Sequence, residues 1–149
     1  MPKKVKQSKG IQFQLRAIEL LDCSIKYPPE DKLKTNQFNF NINIEHKINR
    51  EKKLVFVITS VNILHEDKKT NLGNLKASCH FEISNLDEFF VTGQPDKINF
   101  PTNTIDSLNS ISLSTIRGIM FSQFKGTFLH NAVLPVIDPK VFKPELKKV

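Results

Sequence analysis

The side chains that most often perform catalysis or bind metals are scattered through this sequence. Four histidines fall in different predicted elements: His46, His65, His80 and His130. The chain has no HExxH motif, no CxxC motif and no glycine-rich phosphate loop. Cys79 and His80 are neighbours in a predicted strand, so their side chains point to opposite faces and cannot act together as nucleophile and base. The histidines therefore predict no catalytic site.

Two cysteines and two pairs of carboxylates are the other candidates for chemistry. Cys23 and Cys79 both fall on apolar positions of predicted strands, where a thiol usually serves as a small hydrophobic residue. A zinc site built from both cysteines and a histidine is the less favoured alternative. The carboxylate pairs at residues 66–67 and 87–88 lie in turns or at strand ends, where solvated caps are commoner than an acid and base pair. We therefore expect a protein that is not an enzyme and holds no metal or cofactor.

The 149 residues suit a single domain with its own core. The formal net charge of +7 comes from the two ends of the chain. Residues 1–9 carry four lysines and no acid, and residues 140–149 carry four lysines against Glu145. The residues between them hold 14 basic and 14 acidic side chains, so the body is neutral. We expect one domain at residues 10–142, a disordered basic tail at 1–9 and a second disordered tail at 143–149.

This composition disfavours two classes of partner. A sheet that binds nucleic acid would use Phe38 and Phe40 as stacking platforms beside basic side chains, but the neighbouring polar positions are asparagines. No apolar run is long enough to span a bilayer, and no apolar stretch follows the N-terminal lysines. Two cysteines form no disulfide framework. The sequence predicts a soluble cytoplasmic protein with no nucleic-acid partner and no membrane insertion.

Residues 36–48 alternate between apolar and polar side chains, which predicts a strand with one buried face. The apolar set is Phe38, Phe40, Ile42, Ile44 and Ile48. The polar face contains Asn39, Asn41 and Asn43, although strands normally avoid asparagine. Two explanations stay open. The asparagines form the outer face of a sheet, or they bond to the backbone of a bound chain without selecting its charge.

Three further strands and one helix follow from the same reasoning. Residues 11–27 predict a long strand in which Glu19 interrupts the apolar side, so we expect either a bulge near its middle or a second surface that is covered there. Residues 54–66 begin apolar on both faces, which indicates a central strand, and residues 75–83 predict a fourth strand. Short turns make the sheet antiparallel. A helix begins at a cap on Asn103 or Thr104 and ends before Gly126. The predicted fold is α+β, a four-stranded antiparallel sheet with one long C-terminal helix packed on it.

The predicted helix has two unlike faces. An apolar stripe covers the sheet, and it consists of Ile105, Leu108, Leu113, Ile116, Ile119, Met120 and Phe124. The opposite face lacks the Glu, Lys and Gln of a solvated helix. It holds Ser107, Ser114, Gly118 and Ser122, with Phe121 at its edge. Small residues allow a second helix to approach closely, so we expect this face to pack against a copy of itself.

The segment "KGTFLHNAVLPVIDPKVF", residues 125–142, directly follows that helix. Its ordered set of G-T-F, six residues, P-V, five residues and F resembles the corresponding segment of the SecB family of protein-export chaperones. The order of elements is also similar to that family over residues 11–142. The resemblance implies a cytosolic, ATP-independent protein that binds unfolded polypeptides and assembles as a homotetramer, a dimer of dimers.

The resemblance also implies roles for particular residues. First strands would join sheets across a dimer, and the helix face with Ser107, Ser114, Gly118, Phe121 and Ser122 would form the tetramer interface. Clients would lie in apolar grooves beside the loop after the first strand and the C-terminal segment. The matching positions are Tyr27, Leu33, Phe38, Phe40, Phe128, Leu129, Val133, Leu134 and Phe142.

The chain departs from the SecB pattern in two places. Pro139 and Pro144 shorten the final helix that covers the groove in the family. Family members that serve export present acidic surface to the translocase motor, whereas this chain has basic tails and a neutral body. The contact with a translocase therefore stays open, as does the choice between export and a role as chaperone of a toxin and antitoxin pair. A partner-specific adaptor is the rival hypothesis.

Overall fold

The computed structural model of the protein describes residues 12–34, 36–142 and 146–148. Four long strands come first: β1 at Phe13–Ile25, β2 at Asn39–Asn49, β3 at Leu54–Leu64 and β4 at Asn71–Ile83. A two-stranded hairpin follows, with β5 at Phe90–Val91 and β6 at Gln94–Ile98. The helix α1 spans Thr102–Phe124, and the short strand β7 spans Leu146–Lys148. Short 3-10 turns lie at Glu30–Lys32, Leu86–Phe89 and Pro139–Val141.

The four long strands form one sheet in the order β1, β4, β3, β2, and each neighbouring pair is antiparallel. This confirms the predicted α+β fold with a four-stranded antiparallel sheet and one long helix. As predicted, β3 lies inside the sheet. The hairpin of β5 and β6 was not predicted, because Gly93 and Pro95 break the alternation that would reveal it; Gly93 turns the chain at a φ of +79°.

The core forms between one face of the sheet and α1. Alternate residues of β3 and β4 point inward and are fully or almost fully buried, among them Val57, Val61 and Phe81. All but one residue of the predicted helical stripe are buried, and Ile119 is half-buried and packed against the core. The spacing of apolar residues therefore correctly predicted which side of α1 faces the sheet.

Strand β1 keeps its apolar residues on the core side by means of two bulges. The register with β4 shifts between Leu15 and Ala17 and again between Leu20 and Asp22. Ile18 therefore pairs with the inward-facing Cys79, whereas Ala17 pairs with the outward-facing His80. Of the two predicted alternatives the structure has the bulge, but as two bulges on either side of Glu19, and together they explain why the apolar residues change from odd to even numbers and back. The helix does not cover this edge, and Leu15, Ile18, Leu20 and Leu21 remain 40–49% exposed.

The helix begins earlier than predicted, at Thr102 rather than after a cap at Asn103 or Thr104. Pro101 precedes it, and the first turn has no side-chain cap; instead the N–H of Thr104 donates to the carbonyl of Pro101 at 3.0 Å. The prediction of a cap at Asn103 or Thr104 is therefore wrong, because the fixed φ of proline already sets the start of the helix. The end agrees with the prediction, since Gly126 adopts a φ of +80° two residues after Phe124.

The two predicted tails have different outcomes. Residues 1–9 lie outside the described residues. Within residues 143–149, β7 pairs in parallel with residues 46–48 of β2, so this part of the predicted disordered tail is instead a fifth strand of the sheet. Three residues with lysines at positions 147 and 148 give too short a pattern to identify a strand from sequence.

Candidate functional site

One end of the sheet carries most of the predicted site residues. Strands β1 and β3 end there and strands β2 and β4 begin there, while Leu129 lies over Gly73 and Phe128 lies beside Tyr27. The loop after β1 is attached to this end by hydrogen bonds, since the N–H of Lys26 donates to the carbonyl of Leu72 at 2.9 Å. The side chain of Asn39 donates to the carbonyl of His65 at 3.2 Å. The topology therefore brings the loop, the turn between β3 and β4 and the C-terminal segment together.

The carboxylate of Asp67 organises the turn between β3 and β4. It accepts hydrogen bonds from the N–H groups of Lys69 and Thr70, both at 2.9 Å, and from the hydroxyl of Thr70 at 2.7 Å. Lys32 from the loop after β1 adds an ion pair at 2.9 Å. These hydrogen bonds favour the charged form of the Asp67 carboxylate, and the two from Thr70 contribute most. The pKa of Asp67 therefore lies well below its usual range. The turn and the loop are thus fastened to each other.

Tyr27 and Phe128 form the exposed apolar contact of this site. Their ring centroids are 5.1 Å apart, and Tyr27 is 73% exposed. The structure thus places two predicted client-binding residues side by side, one from the loop and one from the C-terminal segment. Val133 is a third predicted residue on the surface, at 57% exposure.

Five of the predicted client-binding residues, Phe128 among them, are half-buried. Phe38, Phe40, Phe128 and Phe142 pack against the core with part of each ring accessible, and Leu33 is half-buried in the loop. Phe38 and Phe40 lie at the start of β2, at the same end of the sheet as Tyr27. These residues therefore act first as core and offer only part of their surface to a partner.

Leu129 and Leu134 are placed in the core rather than on the surface. Their exposures are 0% and 1%, so the prediction that they contact a client does not fit this structure. Leu129 lies directly over the backbone of Gly73, where an added Cβ would come within 2.8 Å of its Cδ1 atom. The absence of a side chain at Gly73 creates the space that Leu129 fills. Both leucines anchor the C-terminal segment.

Two exposed apolar residues of the same segment were not predicted. Val136 is 95% exposed and Val141 is 67% exposed. The signal was present in the sequence, because Pro135 and Pro139 keep this stretch out of an α-helix and out of the sheet, so no long element buries its apolar side chains.

An apolar cavity of about 380 Å³ lies between α1 and the C-terminal segment. It is lined by Ser114, Arg117, Gly118, Phe121, His130, Ala132 and Val133. The guanidinium of Arg117 donates to the carbonyls of Leu134 at 2.7 Å and Pro135 at 2.9 Å, which ties the segment to the helix. Three predicted interface residues, Ser114, Gly118 and Phe121, thus share one cavity with the predicted client-binding residue Val133.

The small-residue face of α1 is exposed over its length. Ser107, Ser114, Gly118 and Ser122 are all exposed, and Phe121 is 56% exposed with its ring 5.7 Å from that of His130. A Cβ added to Gly118 would meet no atom within 4 Å. The five predicted interface residues therefore form surface on the single chain.

His46 and the two cysteines have environments set by burial. His46 is fully buried, and its Nε2 shares a hydrogen bond of 2.6 Å with Oδ1 of Asn109 in α1; burial lowers its pKa, and this hydrogen bond opposes the shift. Burial raises the pKa of both cysteines, and the charge of Asp22 adds to the rise for Cys23. Neither thiol is thus activated as a nucleophile. Among the described residues, no three His, Cys, Asp or Glu side chains lie together as a metal site requires.

Comparisons with known proteins give a distant likeness. The sequence matches no protein-family model and no curated protein. Among solved structures, the chain is similar to the Mycobacterium tuberculosis SecB-like chaperone Rv1957 in complex with a ChAD peptide from the HigA1 antitoxin, with a TM-score of 0.48, 11% identity and 83% of each chain covered. It is also similar to a Streptococcus agalactiae protein of unknown function, with a TM-score of 0.40, 11% identity and coverage of 78% of this chain and 90% of that one. In the described part of the chain, no helix has the length and apolar character that crossing a membrane requires.

Proposed function

We propose that this protein is an ATP-independent chaperone of the SecB type, which binds unfolded or non-native polypeptides in the cytoplasm and is not an enzyme. The observation that carries the proposal is apolar surface that stays exposed around the C-terminal segment: Tyr27 against Phe128, with Val133, Val136 and Val141. Exposed apolar patches on soluble proteins mark interaction sites. The sequence resemblance of residues 125–142 to the SecB family supports the same function.

This surface suits clients of many sequences. It offers valine and aromatic side chains, and binding would come mainly from burial of client side chains at about 25 cal/mol per Å². Arg117, which lines a cavity together with Val133, already donates to two backbone carbonyls and is therefore committed within the chain. Apolar contacts discriminate weakly between partners, as a general holdase requires.

The proposed chaperone acts as an oligomer, a dimer or a dimer of dimers. Support comes from two exposed faces: the small-residue face of α1, and Leu15, Ile18 and Leu20 on the uncovered edge of β1. Light scattering would give the mass. Gly118→Arg adds a long charged side chain where the single chain has free space, so it should lower the mass without unfolding the chain. Asn62→Arg on the exposed outer face of β3 is the matched control.

The chaperone activity is tested by suppression of aggregation of several unrelated unfolded proteins. We expect suppression by the wild-type protein and its loss in a double variant with Tyr27→Ser and Val136→Ser, because both side chains are mostly exposed and their removal leaves the core intact. Asn62→Ser serves as the surface control, and urea unfolding verifies that all variants keep their stability.

The same assay separates the alternative function. A partner-specific adaptor, or a chaperone dedicated to a toxin and antitoxin pair, would protect one protein and leave the others to aggregate. Failure to protect any unfolded protein would reject both. A translocase contact would be tested separately, by measuring binding of the purified motor protein to the client-loaded oligomer.

A further inference from the structure

Strand β2 has an edge that is only partly covered. On one side β2 pairs with β3 along its whole length. On the other side, β7 pairs with residues 46–48, and no strand in the described part of the chain pairs with residues 39–44. Residues 39–44 therefore present backbone N–H and C=O groups on an open edge. Such an edge is a template for another extended chain.

The usual protections of an edge strand are missing at this place. Residues 39–44 read NFNINI, without a charge or a proline, and their register with β3 contains no shift. The opposite edge of the sheet differs, since β1 carries Arg16, Glu19 and Asp22 and two bulges. Charges and bulges block the addition of an arbitrary strand. Strand β1 thus suits one matched partner, such as a second copy, whereas β2 suits extended chains in general.

The side chains beside this edge fit the same partner. Phe40 and Ile42 are half-buried on the core side, while Asn41 and Asn43 are exposed on the outer side. An added strand with alternating apolar residues would extend the apolar row on one face. On the other face it would meet amide groups that both donate and accept hydrogen bonds. This arrangement selects extended shape without selecting charge.

We propose that residues 39–44 of β2 bind an extended segment of another polypeptide as an added β-strand, and that β7 occupies the end of the same edge as an intramolecular competitor. The inference rests on the proposed function for the nature of the partner and deepens it by giving the mode of binding. Six residues of edge accept a segment of about 20 Å. Release of β7 would extend the edge to residues 39–48.

The test uses a fluorescent ten-residue peptide of alternating valine and threonine with lysines added at its ends. Two analogues carry N-methyl groups, one on the odd residues and one on the even residues. In an added strand, alternate N–H groups face the edge. One analogue should therefore lose affinity by about 10-fold or more, the loss expected for two or three hydrogen bonds, and the other should keep it.

Hydrogen exchange locates the bound peptide on the full chain. We expect slower exchange of amides within residues 39–44 and no change along β1. In β7, one of the two residues Leu146 and Lys147 donates its N–H to β2, and the double variant Leu146→Pro with Lys147→Pro removes that N–H in either case. The weakened β7 should compete less for the edge, so the peptide should bind about 5-fold more tightly. The control, Leu146→Ala with Lys147→Ala, should leave the affinity unchanged.

Three results would overturn the inference: no binding of the peptide, equal affinity for all three peptides, or protection on β1 in place of β2. If equal affinity accompanies suppression of aggregation, the proposed chaperone function stands and only the strand-addition mode fails. If aggregation is not suppressed while one methylated analogue still fails to bind, the edge site stands without the chaperone function.

Discussion

The same substitution, glycine to alanine, should have opposite effects at two positions of this protein. Gly73 lies in β4 beneath the C-terminal segment, where an added Cβ would come within 2.8 Å of Leu129 and 2.9 Å of the carbonyl oxygen of Ser24. Gly118 lies on the exposed face of α1, where an added Cβ would meet nothing within 4 Å. The comparison tests whether Leu129 anchors the segment as the structure indicates.

The size of each effect follows from these contacts. Gly118→Ala should raise the free energy of unfolding by about 0.5–1 kcal/mol, because alanine loses less backbone entropy in a helix than glycine does. Gly73→Ala gains a similar entropy term but suffers overpacking, which costs about 1–3 kcal/mol. The Cδ1 atom of Leu129 is the far end of a flexible side chain, whereas the Ser24 carbonyl belongs to the paired backbone of β1. We therefore expect a net loss of about 1–2 kcal/mol for Gly73→Ala.

Urea unfolding of both variants and the wild type measures this difference through the midpoint and the m-value. Measurements at two protein concentrations reveal any contribution from self-association, which makes apparent stability depend on concentration. Unchanged or increased stability of Gly73→Ala would refute the placement of Leu129 over β4. A larger loss for Gly118→Ala than for Gly73→Ala would refute the exposure of that helix face on the single chain.

Three further predictions concern pH and the C-terminal segment. Because the pKa of His46 is lowered in the folded protein, the unfolded chain takes up the proton first, and stability should fall as pH drops below about 6.5. Urea midpoints measured from pH 7.5 to pH 5 should fall less for His46→Gln than for the wild type. The pKa of Asp67 is lowered too, so its contribution to stability is present above about pH 4 and is lost as pH falls toward the pKa that it has in the folded protein. The difference in urea midpoint between Asp67→Asn and the wild type should therefore be smaller at pH 3 than at pH 7. Arg117→Ala removes both hydrogen bonds to the segment, so hydrogen exchange should become faster around Leu134, whereas an equal rate in both proteins would contradict the anchoring role.

The sequence predicted the elements whose patterns are long and regular. Eleven residues of β2 and 23 of α1 are enough for the period of their apolar residues to define which face is buried. A bulge in β1 was also predictable, because Glu19 interrupts the apolar side while Ile18 and Leu20 appear on the other; that there are two bulges follows only from the pairing with β4. The hairpin of β5 and β6 and strand β7 are too short to show a period, so their pairing depends on tertiary contacts.

The candidate site was predicted less well, because composition does not separate anchors from exposed residues within an irregular apolar segment. Leu129 and Leu134 were assigned to the surface together with Val133, although the first two are buried. What separates them is the shape of the sheet beneath. Gly73 leaves a space for Leu129, and no local pattern in residues 125–142 reveals a glycine more than 50 positions earlier. Such information exists only in the folded chain.

Burial of these two leucines has a consequence for the surface around them. Exposed apolar side chains on an unanchored segment would fold back onto one another or onto the nearest groove. Here Leu129 and Leu134 fill the core, Arg117 bonds to the backbone beyond them, and Pro135 restricts the chain to extended conformations. The segment therefore cannot collapse without losing buried contacts, and Val136 stays exposed to solvent. In the proposed chaperone, loss of either anchor should therefore reduce client binding, although both leucines are buried.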